Sequence, residues 1–190
     1  MTRITLVLWL ISSALAAQRY SYWVQPCTRA ETGCQPGDDE LASWAFEAWQ
    51  KASNGELEFN RTDDPQHARI RVLWASAQAG LYGETRPIEV DGKSGANVYV
   101  LPAPLEPNDD RLTRDAVVYL TCLHETGHAL GLAHTRQFED IMYSFQYGGD
   151  IPEYFGRYRR RLGQREDIRK NSGLSDADRA HLVSAAEERK

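Results

Sequence analysis

Basic charge is in short supply in this chain of 190 residues, where 22 Lys and Arg face 27 Asp and Glu for a formal net charge of -5. That excludes a protein whose main task is to coat nucleic acid, which needs a basic face or a strongly basic domain. Cysteine is scarce as well, with three residues. A disulfide-framed miniature scaffold is not expected, and none is needed, because a chain of this length closes one hydrophobic core unaided. Long hydrophobic runs are missing too: the apolar stretch from Ile4 to Ile11 is too short to cross a bilayer as a permanent helix. No internal repeat or low-complexity segment is visible, so one domain is the expectation.

The short N-terminal run fits a different role. Arg3 precedes it and small residues follow, with Ala14 and Ala16 in an A-x-A arrangement. Residues 1–17 read as a secretory signal peptide, leaving a single domain over 18–190 in the periplasm or the medium, without stable membrane insertion once the signal is removed. A membrane anchor or a buried helix is the alternative. Export suits Cys27 and Cys34, seven apart in "PCTRAETGCQPG", which an oxidising compartment would join in a small loop. Spacing alone leaves free thiols, or a thiol reaching a metal site, open at this point. Cys122 falls on an apolar helix face, where a buried unreactive thiol is expected.

Tyr20 to Gln25 reads as a strand ending at Pro26. In "DDELASWAFEAWQKASNG", Leu41, Trp44, Ala45, Ala48 and Trp49 recur at helical spacing between Asp38-Asp39 and Asn54-Gly55, which predicts an amphipathic helix with both tryptophans in the core. "ELEFN" and "ARIRVLWA" read as strands, the second with Ile70, Val72 and Trp74 on one face. Gln78 to Gly95 reads as loop, "ANVYVL" as a strand stopped by Pro102 and Pro104, and Leu112 to Leu132 as the longest helix. Strands first and a helix after them give an α+β arrangement.

That helix carries "HETGHALGLAH", residues 124 to 134. His124 and His128 lie one turn apart, so both imidazoles project from one face and can reach one ion. A catalytic zinc wants three protein ligands and an open fourth position. His134 is too far along a continuous helix to join them, but Gly131 can take the left-handed conformation that ends a helix and turns the chain back. Glu125, beside the first ligand, can act as general base toward a zinc-activated water and later pass the proton to a leaving amine. With five histidines in the chain, the number of chance matches to H-E-x-x-H-x-x-G-x-x-H is on the order of one in ten thousand or less.

This stretch, followed by Met142 in "DIMYSF", resembles the metzincin metallopeptidases, whose extended zinc motif is followed by a methionine-containing turn under the metal. The internal G-H-A-L-G-L and the Met142-Tyr143 pair are most similar to the matrixin branch, with "AGLYGETRP" (Ala79 to Pro87) resembling the segment leading into its edge strand and "LSDADRAHLVSAAEE" its C-terminal helix. The resemblance, drawn over Tyr20 to Glu188, implies a zincin-like fold: a twisted mixed sheet with an antiparallel edge strand, an active-site helix and a C-terminal helix. It implies an exported endopeptidase holding one catalytic Zn2+ on His124, His128 and His134, with Glu125 as base, Met142 beneath the site, and a peptide or protein laid along the edge strand. This sequence departs from the matrixin pattern at Ser144 and Gln146, where proline and tyrosine are usual, and it has no histidine between Trp74 and Ala96 for a second, structural zinc. No pro-domain with a cysteine switch is recognised. Tyr143 is adjacent to the methionine, not two residues beyond it, and reads as packing in the turn. A zinc-binding module that is silent or latent and acts through a partner is the alternative, against which Glu125 and Gly131 both argue.

His67 and His181 have no partners at ligand spacing and read as surface or core residues. "DGKSG" (Asp91 to Gly95) admits Ca2+, though a hairpin turn explains it more simply. Residues 144–173 read as an extended loop segment. Within it, Arg157 to Lys170 is a basic stretch with two readings: a solvated helix face, or a flap over the cleft that favours acidic peptides or an anionic surface.

Overall fold

The computed structural model describes residues 17–78, 81–102, 104 and 110–188, with side chains as far as residue 185. The expected signal peptide lies outside the described residues apart from Ala17, as do Ala79 and Gly80 of the "AGLYGETRP" segment. The elements run β1 (Gln18–Val24), α1 (Asp38–Ala52), β2 (Leu57–Arg61), β3 (Ile70–Trp74), β4 (Gly83–Val90), β5 (Lys93–Val100), α2 (Arg111–Ala129), α3 (Ile151–Arg159), α4 (Asp167–Lys170) and α5 (Asp176–Glu188). The strands form one sheet in the order β2-β1-β3-β5-β4, parallel except for the antiparallel β4 at the edge.

Alternation decides which sheet face is covered. Tyr20, Tyr22 and Val24, Ile70, Val72 and Trp74, and Ala96, Val98 and Val100 are buried, while their neighbours along each strand are not. That face meets α1 and α2, where Tyr22 stacks on Phe46 at 4.0 Å and the buried Trp49 donates its indole N–H to Leu123 O at 2.9 Å. Trp49 thereby ties α1 to the helix that carries the histidines. Trp44 is only half-buried, with the Arg165 guanidinium over its ring.

Cys27 and Cys34 are joined by a disulfide, and Cys122 is a buried free thiol. The small loop is anchored by Arg114, whose guanidinium spans both Asp38 carboxylate oxygens at 2.8 Å and Gly33 O at 2.8 Å. This buried fork fixes the start of α1 against α2.

Three boundaries differ from the sequence reading. Gln78 to Gly95 is not loop throughout: β4 occupies Gly83–Val90 and β5 starts at Lys93, joined by Asp91 (φ 50) and Gly92 (φ 70), a two-residue hairpin turn that needs positive φ at both positions. Pro87 concealed the strand, since proline is tolerated only at an edge. Helix α2 stops at Ala129, short of Leu132, for a reason that also builds the site. The extended segment at 144–173 holds α3 and α4, and α3 packs on α2.

Candidate metal centre

Asp110 caps α2, accepting from Leu112 N at 3.1 Å and from the Thr113 hydroxyl at 2.7 Å. At the other end Gly131 has φ 84; its N–H donates to His128 O at 2.9 Å and that of Leu132 to Gly127 O at 3.0 Å. These are the two bonds of a Schellman motif, which reverses the chain within three residues. Two consequences follow for the histidines. The reversal brings His134 back beside the helix, and it places Leu132 O where His128 Nδ1 donates to it at 2.9 Å.

His134 Nε2 stands 3.2 Å from His124 Nε2 and 3.0 Å from His128 Nε2. His124 Nδ1 donates to Ile141 O at 2.6 Å. A carbonyl can only accept, so Nδ1 of both helix histidines carries the proton and both Nε2 atoms present lone pairs to a common point. Three imidazole nitrogens around a tetrahedral zinc at ~2.0 to 2.1 Å lie about 3.3 Å apart, close to the spacing found here. The residues fit that ion. Burial pushes the His124 pKa down to about 3 against the pull of the Ile141 carbonyl, and burial lowers His128 and His134 as well. All three are thus neutral at pH 7, as ligation requires.

The same burial predicts a pH dependence for the metal-free protein. The folded-state pKa values lie below the ordinary 6.5, so on acidification the unfolded chain takes up protons that the folded chain refuses. Stability falls from about pH 6.5 downward, the His124 share ending near pH 3. Denaturation midpoints of wild type and His124→Gln near pH 7 and pH 5.5 check this: wild type loses more over the interval, and equal losses would contradict it.

Glu125 is 5% exposed. Its Oε2 lies 2.7 Å from the Thr85 hydroxyl on β4, which is also 2.9 Å from the Glu125 carbonyl. Gly83 makes room for it, since a β-carbon there would stand 2.6 Å from Glu125 Cγ and 2.8 Å from Oε1. Burial raises the carboxyl to about 7; the Thr85 hydroxyl opposes this and Glu84 adds to it. Neither Thr85 nor Gly83 was found from the sequence, because both sit forty or so positions from the motif with no local signal.

Met142 is fully buried and packs against Gly127 on the inner side of the histidine turn. A β-carbon on Gly127 would collide with Met142 Sδ and stand 3.1 Å from Trp49 Cζ2. Gly127→Ala is therefore expected to destabilise the fold by about 1 to 3 kcal/mol through overpacking, measured by urea denaturation. The turn itself is held by Asp178, buried at the start of α5, whose carboxylate accepts from Ile141 N at 2.9 Å, Met142 N at 3.4 Å and Ser175 N at 2.8 Å. Ser175 Oγ accepts in return from Asp178 N at 3.0 Å, a capping box legible in the sequence as S-x-x-D.

A family model described as matrixin matches residues 18–152. The chain belongs to the matrixin family. Human Matrix metalloproteinase-15 is 28% identical over 132 residues, covering 60% of this chain and 19% of that protein, so the chain spans about a fifth of this relative's length. Matrixins are zinc metallopeptidases, and the mixed sheet with one antiparallel edge strand agrees with their catalytic fold. The match ends where α3 begins, short of the Glu188 to which the resemblance was drawn.

In this matrixin the histidines and Glu125 line a cleft of about 1000 Å³. One end is walled by Tyr82, Leu120, Phe145, Tyr154 and Phe155, with the buried Ser144 and the exposed Gln146 also lining the cleft. Tyr143 also reaches the cleft, and its hydroxyl donates to Gly148 O at 2.8 Å while its ring packs between Phe138 and Tyr154, a packing role in the turn. The basic stretch does not touch it. Arg159, Arg160, Arg165, Arg169 and Lys170 meet Asp110, Glu153, Glu40, Glu47 and Asp167, and Arg157 lies over Phe138 and Tyr154. What α3 lends the cleft is aromatic, through Tyr154 and Phe155. His67, bound to Asp64 at 2.8 Å, and His181 are exposed and away from the centre. Among the described residues, Asp91 belongs to no group arranged to hold a metal, and the hairpin accounts for "DGKSG".

Proposed function

We propose that this chain is an exported zinc-dependent endopeptidase in which His124, His128 and His134 hold the ion and Glu125 is the general base. The single observation that carries the reading is the convergence of three Nε2 atoms beside a buried carboxylate in an open cleft. Bound zinc supplies Lewis acidity, which makes water acidic near neutral pH and polarises a scissile carbonyl. Glu125 accepts the proton of the attacking water and delivers it to the amine nitrogen as the C–N bond breaks. Thr85 holds Oε2, leaving Oε1 for that exchange. Burial holds this carboxyl at about 7 in the metal-free chain, and a cation bound beside it would draw it toward the ionised form that accepts a proton.

The edge strand supports the substrate. Ala96 turns its N–H toward Arg69 O, so its partner Pro87, and with it Thr85 and Gly83, direct their backbone groups away from β5 to the open edge. An extended peptide pairs there as an added strand, with an apolar side chain entering the aromatic end of the cleft. Export rests on residues 1–17 and on the extracellular habit of matrixins; among the described residues no helix is long and apolar enough to cross a membrane. The test is cleavage of a complex peptide library read by mass spectrometry before and after metal stripping. Cuts that vanish with a chelator and return with zinc support the proposal; none from a folded, zinc-loaded chain overturns it.

A further inference from the structure

Strand β4 lines the cleft through Gly83, Glu84, Thr85 and Pro87, and Glu89, two residues further on, is outside that lining. Two hydrogen bonds fix which of its backbone groups are free. Tyr82 O accepts from Leu101 N at 2.8 Å, and Ala96, the partner of Pro87, donates its N–H to Arg69 O at 2.8 Å, toward β3. Antiparallel ladders alternate, so Glu84, Arg86 and Ile88 turn their backbone groups to β5, while Gly83, Thr85, Pro87 and Glu89 turn theirs to the open edge. Among the described residues no strand pairs with that edge. The outward positions are not equivalent. Gly83 and Thr85 each offer an N–H and a C=O. Pro87 offers the C=O alone, and its ring Cδ, bonded to nitrogen, stands where an N–H would point. A strand added to the edge therefore meets a methylene where its next carbonyl needs a donor. Pro87 is itself exposed, so this break faces the incoming strand directly. Glu89 has an N–H again, but the turn at Asp91 and Gly92 follows at once and leaves one outward residue, too little to resume a ladder.

We infer that Pro87 ends the backbone pairing between enzyme and substrate, so that recognition before the scissile bond stops at the substrate residue opposite Thr85. The inference rests on the peptidase reading above. Thr85 stands beside Glu125, its hydroxyl 2.7 Å from Oε2, and Pro87 is two positions on, roughly 7 Å at ~3.3 Å per residue. An antiparallel added strand, the more stable pairing, runs from the Pro87 end toward Gly83 and lays the residues that precede the cut along Pro87 and Thr85. Residues after the cut continue past Gly83 toward Tyr82 and the aromatic end of the cleft. A peptide with a few residues before the cut already makes every bond this edge allows, and a longer one gains none. Sites close to the N-terminus of a protein chain are thus cleaved as well as internal ones.

The experiment measures kcat/KM for peptides that share one sequence after the cut and lengthen one residue at a time before it, with wild type and Pro87→Ala. For wild type the value is expected to rise and then level off. For Pro87→Ala it follows the same course and then rises again by about two- to tenfold, the worth of the hydrogen bond that the alanine N–H restores, and levels off two residues later. Pro87 is exposed and makes no ladder bond to β5, so alanine leaves the sheet intact. A wild-type value that climbs through the whole series, or identical profiles for the two proteins, overturns the inference and leaves the peptidase reading standing. No cleavage of any peptide overturns both.

Discussion

Replacing Glu125 by glutamine is expected to lower peptide turnover by roughly 10²- to 10⁴-fold while one zinc stays bound per chain. The amide oxygen still accepts from Thr85, and the side chain still fits beside Gly83, so geometry is retained and only proton transfer is lost. A second effect runs the other way. The folded-state pKa of Glu125 is raised from 4.5 to about 7, so the carboxyl's contribution to stability is fully present below pH 4.5 and is lost as pH rises through 7. Glutamine has no charge to bury. In metal-free protein near pH 8, Glu125→Gln is therefore more stable than wild type by roughly 2 to 3 kcal/mol, and the gain shrinks toward pH 5. Turnover, zinc content and denaturation midpoints, measured together, check all three parts. A variant that turns over normally with zinc bound would remove Glu125 from the mechanism.

The second large effect lies away from the cleft. Asp178→Ala is expected to cost about 3 to 5 kcal/mol, because it orphans the buried N–H groups of Ile141 and Met142 and the half-buried N–H of Ser175 together. The damage reaches the metal centre through one atom. Ile141 O accepts from His124 Nδ1 at 2.6 Å and from the Tyr154 hydroxyl at 3.2 Å, and it keeps that position only while the Ile141 N–H is held by Asp178. Loss of such an outer partner lowers metal affinity by about 10- to 100-fold. Asp178→Asn retains one acceptor oxygen and should fall between. Competition titration with a zinc chelator, beside urea denaturation, separates the two effects; unchanged affinity in a destabilised Asp178→Ala would break the proposed link between α5 and His124.

What the sequence disclosed was mostly what is local. The helix face of α1, the alternation of β3 and the pairing of His124 with His128 depend on short-range periodicity, and all three appear in the fold. The role of Gly131 was legible for the same reason, since a left-handed residue after a helix is a local requirement. Strand β4 was hidden because Gly83 and Pro87 read as loop residues, whereas one accommodates Glu125 and the other sits at an open edge. Helix α3 had its signals in place. Asp150 caps it by accepting from Glu153 N at 2.9 Å, and Tyr154, Phe155 and Tyr158 form its buried stripe, but the arginines interleaved with them fit a charged solvent face equally well. Those arginines are spent on carboxylates of α1 and neighbouring segments, which only the tertiary fold reveals. Thr85 could not be found from periodicity at all, since its role depends on an edge strand meeting a helix forty residues on.

Everything proposed for this chain depends on a three-histidine zinc centre with one open position. X-ray absorption at the zinc edge, on the zinc-loaded chain and on His134→Ala, measures the ligand set directly. The expected result is three imidazole nitrogens and one water oxygen at about 2.0 to 2.1 Å, with one nitrogen fewer in the variant. A fourth protein ligand in place of the oxygen, or a spectrum that His134→Ala leaves unchanged, would contradict the open centre and the hydrolysis built on it.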